Sequence, residues 1–270
     1  MNEQTLAALG LSRPPFSKDI SDADLWMPSS RQAVVDDLVG ALEARQSALL
    51  VGEPGVGKTC VLRALRRRLP AERFRLTYCH NATLGRRDFY RQLCLALGLS
   101  PKATAASLFF AVSSHVHELS GARVHPVLLL DEAHLLHQDV LAHLHILLNY
   151  EWDSKALLSV VLVGLPELED RLSFSTHKPL LSRLNARLRI DAVSCDDTAE
   201  YLQHRLSIAG TTKELFARDA VNLLHEHSGG VHRDLDRLAD LALRDLVRRK
   251  HKVVDADHLR PLLGKAARAA

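Results

Sequence analysis

The sequence predicts an α/β fold: a parallel sheet covered by helices, followed by a smaller all-helical unit. Short apolar runs alternate with amphipathic helical stretches over much of the chain, and the strand signals stop near residue 194. The apolar runs also suit strands buried on both faces. With 270 residues, 47% of them apolar and 25% charged, the chain can bury a sizeable core and is not a disordered polymer. Lys+Arg 35 against Asp+Glu 32 leaves a net charge of only +3, which excludes a histone-like polycation but not a local basic patch.

Taken in order, residues 31–46 have helical periodicity, and Ser47-Ala48-Leu49-Leu50-Val51 is a buried strand closed by Gly52. A helix begins near Gly57. Further strands are expected at Phe74–Cys79, Val127–Leu130, Leu157–Val163 and Leu188–Ile190, with helices near 86–98, 104–120 and 139–149. In the last of these, Val140, Leu141, Leu144, Leu147 and Leu148 make one stripe, which turns His143 and His145 mostly away from the sheet. Beyond 194, helices are expected near 196–209, 214–227, 231–250 and 256–263, separated by the turn clusters Gly210-Thr211-Thr212 and Ser228-Gly229-Gly230. The expected division is a lead segment and helix over 1–46, a sheet domain over 47–193 and a helical domain over 194–270.

The longest nearly apolar stretch, Ala156–Leu165, is about half the ~20 residues of a membrane span, and the acidic N-terminus lacks the features of a secretory signal. Cys60, Cys79, Cys94 and Cys195 form no C-x-x-C pair, as neither a zinc ribbon nor a disulfide framework would have it. The expectation is a cytoplasmic protein without a membrane partner. The pairs His134/His137 and His143/His145 lack the Glu-x-x-His or Cys patterns of a metal site.

Gly52-Glu53-Pro54-Gly55-Val56-Gly57-Lys58-Thr59 satisfies G-x-x-x-x-G-K-[ST] between an expected strand and an expected helix. Glycines let the backbone curl around phosphate oxygens, and the N–H groups at the start of the next helix favour bound anions. Lys58 is expected to reach the β- and γ-phosphates and Thr59 to offer its hydroxyl to Mg²⁺, with Gly52 through Cys60 as the ATP cradle. The second motif is Val127-Leu128-Leu129-Leu130-Asp131-Glu132, an apolar strand ending in two carboxylates. Asp131 at the strand end suits Mg²⁺ held through its water shell, and Glu132 suits a group that orients and polarises the attacking water. Alone, the two acids could also be read as helix caps. Paired with the phosphate loop, they read as a catalytic edge of the same sheet.

With both motifs in place, the chain resembles the AAA+ ATPases from the Ser30-Arg31 helix through the helical domain, which corresponds to that family's lid. The resemblance implies the P-loop NTPase fold, hydrolysis of Mg-ATP and homo-oligomers. Lys178-Pro179-Leu180-Leu181-Ser182-Arg183 resembles the arginine-finger box, which implies that Arg183, or failing it Arg187, reaches a neighbour's γ-phosphate in trans. Gly229-Gly230-Val231-His232-Arg233 is similar to the sensor-2 segment, implying that Arg233 points from the lid to the nucleotide. At the sensor-1 position the strand Val160–Val163 ends in Gly164-Leu165-Pro166, where many relatives carry a polar side chain.

Gly10-Leu11, Pro14-Pro15-Phe16-Ser17, Asp131-Glu132-Ala133-His134, Val161–Leu168 and Ser228-Gly229-Gly230 resemble the branch that holds general-secretion ATPase A and the ATPases encoded beside bacterial transposases. Secretion members continue into a transmembrane segment that this sequence does not show, so the expectation is a transposition helper that assembles on duplex DNA and engages a transposase. The alternatives are a cytosolic secretion-type ATPase and a nucleotide-gated scaffold with little turnover. A DEAH helicase is disfavoured because a second sheet domain is not expected after 194. Candidate DNA contacts are Arg63, Arg66, Arg67 and Arg68; Arg86 and Arg87; and Arg244, Arg248, Arg249, Lys250 and Lys252. Favourable charge at helix C-termini accounts equally for the first and third clusters. An aromatic content of 5% leaves little for stacking on single strands.

Overall fold

The computed structural model describes residues 1–79 and 84–266, with side chains described as far as Gly264; residues 80–83 and 267–270, most of the Ala-rich end, lie outside it. The chain begins with α1 (Glu3–Leu9), α2 (Ser29–Glu43), β1 (Ser47–Gly52), α3 (Lys58–Arg68), β2 (Phe74–Cys79), α4 (Arg86–Ala96) and α5 (Ala105–Gly121). It continues through β3 (His125–Leu130), α6 (Gln138–Leu147), β4 (Ser159–Gly164), α7 (Glu167–Ser173), α8 (Lys178–Leu181) and β5 (Leu184–Ile190). Four helices close it: α9 (Cys195–Ile208), α10 (Arg218–Ser228), α11 (His232–Arg249) and α12 (Ala256–Ala266). Two compact units result. The sheet unit holds Ser29–Pro54 and Lys58–Ile190, and the helical unit holds Met1–Pro28, Gly55–Gly57 and Asp191–Ala270.

The five strands of the sheet unit pair in parallel, in the order β2-β3-β4-β1-β5. Every residue of β1, β3 and β4 is buried, as their Val- and Leu-rich runs require when helices cover both faces. The edge strand β5 alternates instead, with Arg187 and Arg189 exposed, a charged rim that discourages further pairing. That alternation puts polar residues at Asn185 and Arg187 and conceals the first half of β5, which begins at Leu184 and not at 188. The stripe on α6 is buried as expected. His143 differs: its Nδ1 lies 2.8 Å from Tyr90 Oη and its ring meets Tyr90 and Phe109 edge-on. It faces α4 and α5, which cover a second side of α6.

At the start of the sheet two buried side-chain hydrogen bonds cross between strands. Ser47 Oγ on β1 accepts the Val160 N–H at 3.0 Å, and His125 Nε2 on β3 lies 2.8 Å from Ser159 Oγ on β4. Burial, aided by the Arg45 charge, pushes the His125 imidazole down to about 4.

The helical unit packs α9 to α12 around Leu202, Leu206, Leu224, Leu243 and Leu246, and the same core takes in Leu9, Leu11 and Phe16 from the lead segment. Buried Arg205 fastens that segment, donating to Pro15 O at 2.6 Å, Ser17 O at 2.6 Å and Tyr201 Oη at 2.8 Å. Burial raises the nearby Asp236 carboxyl to about 6, against the opposing pull of Arg205. The lead segment therefore divides where a single 1–46 block was expected: Met1–Pro28 belongs with the helices and α2 with the sheet. Its few apolar residues have no period to read, and its anchor is a backbone contact with a distant Arg. Helix α10 starts at Arg218, later than 214, because the preceding residues pair with Val254, whose N–H donates to Leu215 O and whose carbonyl accepts from Ala217 N. Among the described residues no helix is long and apolar enough to cross a membrane.

His125 makes the sheet unit acid-sensitive. Its folded value of about 4 lies below the ordinary 6.5, so stability present above 6.5 is lost as pH falls through 4. His125→Gln, which keeps a polar partner for Ser159, should flatten the pH dependence of chemical unfolding over that window; an unchanged profile would refute the assignment.

Candidate functional site

The phosphate loop leaves β1 at Gly52 and enters α3 at Lys58. Gly55 and Gly57 have φ of 84° and 103°, a left-handed backbone that side chains rarely adopt. Lys58 is buried, its Nζ donating to Gly52 O at 2.7 Å and Glu53 O at 3.0 Å. The first turn of α3 holds no acidic residue, so its N–H groups and dipole present uncompensated positive potential. Thr59 is exposed there and Cys60 half-buried.

At the end of β3, Asp131 is 6% exposed. Its N–H donates to Cys79 O at 3.0 Å, Oδ2 accepts from Tyr78 Oη at 2.7 Å, and Oδ1 accepts the Glu132 N–H at 2.9 Å. Burial, then the hydrogen bond to Asp131 and the two acidic charges, holds the Tyr78 phenol above its ordinary value, so it remains a donor. Glu132 lies in the left-handed region at φ 52°, ψ 36°, a conformation that costs a non-glycine residue roughly 1–3 kcal/mol. Its side chain is half-exposed while the neighbouring His134 is nearly covered.

The sheet sets the loop and the acids at one level. Leu130 pairs with Leu162, and Leu162 with Leu49. One residue on, Asp131 is level with Val163 and Leu50, just short of Gly52. Strand β4 intervenes, so β1 and β3 run about 10 Å apart. Thr59 and Asp131 supply hydroxyl and carboxylate oxygens, the hard donors that Mg²⁺ prefers, and the Asp131 oxygens each keep acceptor capacity. Among the described residues no group of three or more His, Cys, Asp or Glu is arranged for a metal ion.

The loop's tip, Gly55–Gly57, clusters with the helical unit. There Gly55 O accepts the Arg233 N–H at 3.3 Å, and a Cβ at Gly55 would lie 2.7 Å from Arg233 Cβ, so glycine is needed for space as well as for φ. Arg233 is exposed at the start of α11. Arg183 is held within its own chain: Nη2 donates to Asp153 Oδ2 at 2.7 Å and Nη1 to Pro179 O at 3.0 Å. Asp153 ends a run of three left-handed residues, Glu151, Trp152 and Asp153. Arg187 bonds the nearby carbonyls of Leu181 and Leu184.

Members of two of the three cationic clusters are paired locally. Arg68 pairs with Asp36 at 2.8 Å, Arg244 with Asp240 at 2.6 Å, and Arg248 and Arg249 both with buried Asp245. Arg86 and Arg87 are exposed in the first turn of α4, where positive charge opposes the helix dipole.

Tyr78 and His134 are the site residues that motif reasoning missed. Tyr78 could have been found by asking which strand lies beside the acidic one. His134 was visible as part of the DEAH tetrapeptide, but its contact with β4 depends on strand order.

The protein family described as AAA domain matches residues 41–172. General secretion pathway protein A of Aeromonas hydrophila is 35% identical over 252 residues, 92% of this chain and 46% of that protein. The chain thus spans about half the length of that curated relative. Among solved structures, Drosophila ORC bound to DNA has a TM-score of 0.70 at 22% identity, covering 99% of this chain and 68% of its own. Cdc6p from Pyrobaculum aerophilum has a TM-score of 0.68 at 18% identity, covering 89% and 67%. The RuvB Holliday junction branch migration motor of Thermotoga maritima has 0.56 at 20%, covering 84% and 67%. At these identities the structural likeness shows the fold.

Replacing Lys58 removes the one buried ammonium of the loop. Lys58→Ala should weaken binding of a fluorescent ATP analogue by roughly tenfold to a hundredfold or more, a charged hydrogen bond or two, while the circular dichroism of the sheet unit is kept. Unchanged affinity would show that the loop does not take phosphates through this residue.

Proposed function

The chain belongs to the AAA+ ATPases, and from that premise we propose that it binds and hydrolyses Mg-ATP and, in its ATP state, assembles on duplex DNA as a cytoplasmic transposition helper. The observation that carries the ATPase reading is the register of β1, β4 and β3, which brings Asp131 and Glu132 level with Leu50 and Val51, at the strand end that leads into the Lys58 loop. In this reading the N–H groups from Gly52 to Cys60 cradle the phosphates, and Lys58 exchanges Gly52 O and Glu53 O for phosphate oxygens. Thr59 and Asp131 would hold Mg²⁺, whose charge offsets that of the β- and γ-phosphates. Glu132 orients the water. As the water oxygen bonds to the γ-phosphorus, the bond to the bridging oxygen breaks, ADP leaves with that electron pair, and the water's proton passes to Glu132 or to the released phosphate.

Arg233, beside Gly55 at the loop's tip, is the cation suited to report the phosphates. Arg183 acts as the finger for a neighbouring copy once assembly draws it from Asp153. A transposase is the proposed partner of the assembled form.

The DNA reading is supported by Arg86 and Arg87, whose exposed charges have no helix-stabilising explanation. ORC, one of the proteins that share the fold, is seen bound to DNA. A second reading, a secretion-type ATPase with an envelope partner, is favoured by the 35% identity to General secretion pathway protein A.

Glu132→Gln should cut steady-state phosphate release by roughly 10²–10⁴-fold while ATP still binds, and ATP-dependent oligomers should accumulate. Normal phosphate release from that variant would remove Glu132 from the water-orienting role. For the partner, duplex affinity measured against salt with a non-hydrolysable ATP analogue decides. Arg86→Ala/Arg87→Ala should weaken binding and lower the salt slope by up to about 2, at close to one per phosphate contact. Absence of duplex binding by the unmodified protein at low salt would leave the secretion-type reading.

A further inference from the structure

Glycine at the sensor-1 position has a spatial cause. Gly164 does not have the positive φ that demands glycine. A Cβ there would instead lie 3.0 Å from Leu168 Cδ2, 3.2 Å from His134 N and 3.4 Å from His134 Nδ1. A side chain at 164 would meet the Leu168 side chain and the backbone of the turn that follows β3, with the His134 imidazole beside them.

We infer that His134 is a positioning residue for Glu132, supplying from the DEAH turn the polar group that position 164 lacks. This rests on Glu132 being the water-orienting carboxylate. His134 Nδ1 has two polar neighbours: the Leu165 N–H at 3.4 Å and Glu132 Oε2 at 3.6 Å. One nitrogen serves only one of them at a time. Without a hydrogen it accepts from Leu165; carrying one, it donates toward Glu132. The choice couples the end of β4 to the carboxylate that faces the water.

The surrounding structure fixes the ring for this task. Arg171 on α7 clamps the turn, with Nη1 donating to His134 O and Nη2 to Leu136 O, the latter at 2.7 Å. Ala133 is fully buried beneath, and the Leu135 N–H closes the turn on Glu132 O at 2.9 Å. With the backbone held, Glu132 remains in its left-handed conformation, and His134 Nδ1 is a polar side-chain atom near enough to bias the direction of its carboxylate.

Two substitutions separate polarity from packing. His134→Phe keeps the ring volume without a polar atom, and His134→Asn keeps a polar atom near the Nδ1 position. His134→Phe should lower kcat by about tenfold to a hundredfold with KM and ATP affinity within about twofold of the unmodified protein, and His134→Asn should recover most of the loss. His134→Leu serves if the Phe variant does not fold, with the same expectation. Full turnover in the apolar variants, or equal impairment in His134→Asn, overturns the inference. If Glu132→Gln is inactive while His134→Phe turns over normally, only this inference fails; if Glu132→Gln turns over normally, the reading of Glu132 fails and takes this one with it.

Discussion

The register of three buried parallel strands is the constraint on which the site depends. Strand β4 lies between β1 and β3, and each neighbour is tied to it at the start of the strands: Ser47 to Val160 from one side, His125 to Ser159 from the other. The phosphate loop and the acids lie at the opposite ends of the same strands. Strands covered on both faces lack the in-or-out alternation that usually fixes register, so buried polar pairs are a physical means of fixing it. A shift of one residue would leave a buried hydroxyl or imidazole without its partner and would move Asp131 relative to Gly52 by one strand rise, roughly 3.3 Å.

Given that register, two buried charged groups of the sheet unit, Lys58 and Asp131, have partners within the chain. The Lys58 ammonium rests on two loop carbonyls, and Asp131 accepts from Tyr78 and from the Glu132 N–H. Both groups are buried, where an unpaired charge would cost several kcal/mol. The strain at Glu132 belongs to the same arrangement, since the left-handed turn brings its N–H to Asp131 while the side chain projects toward solvent.

What the sequence disclosed follows the range of the interactions involved. Gly52–Cys60 and Asp131–Glu132 are contiguous, so their motifs could be read before any fold was known, and the strands beside them announced themselves as unbroken apolar runs. Strand order could not be read, because nothing local states that β4 separates β1 from β3. With the order went Tyr78 on β2 and the contact between His134 and Gly164. The division of the lead segment was hidden for a related reason: Arg205 holds Pro15 and Ser17 through their carbonyls, which no residue type announces. Arg183 and Arg233 entered through resemblance, and their settings differ. Arg233 lies against Gly55, whereas Arg183 is occupied by Asp153.

The cationic clusters show why counting charges along the chain ranks them wrongly. The richest, at the end of α11, is organised by Asp245, which is 3% exposed and receives Arg248 and Arg249 while His258 of α12 lies 3.2 Å away. That cluster holds two helices together and gains from the dipole at a helix C-terminus, so fold stability accounts for it. Arg68 is likewise occupied by Asp36. Arg86 and Arg87 are only two residues, yet they lie at the positive end of α4, and the acid of that turn, Asp88, pairs with Arg91 at 3.3 Å. Charges placed against the dipole lower the stability of their own helix. Their exposed positions at the start of α4 are therefore not accounted for by the dipole of that helix.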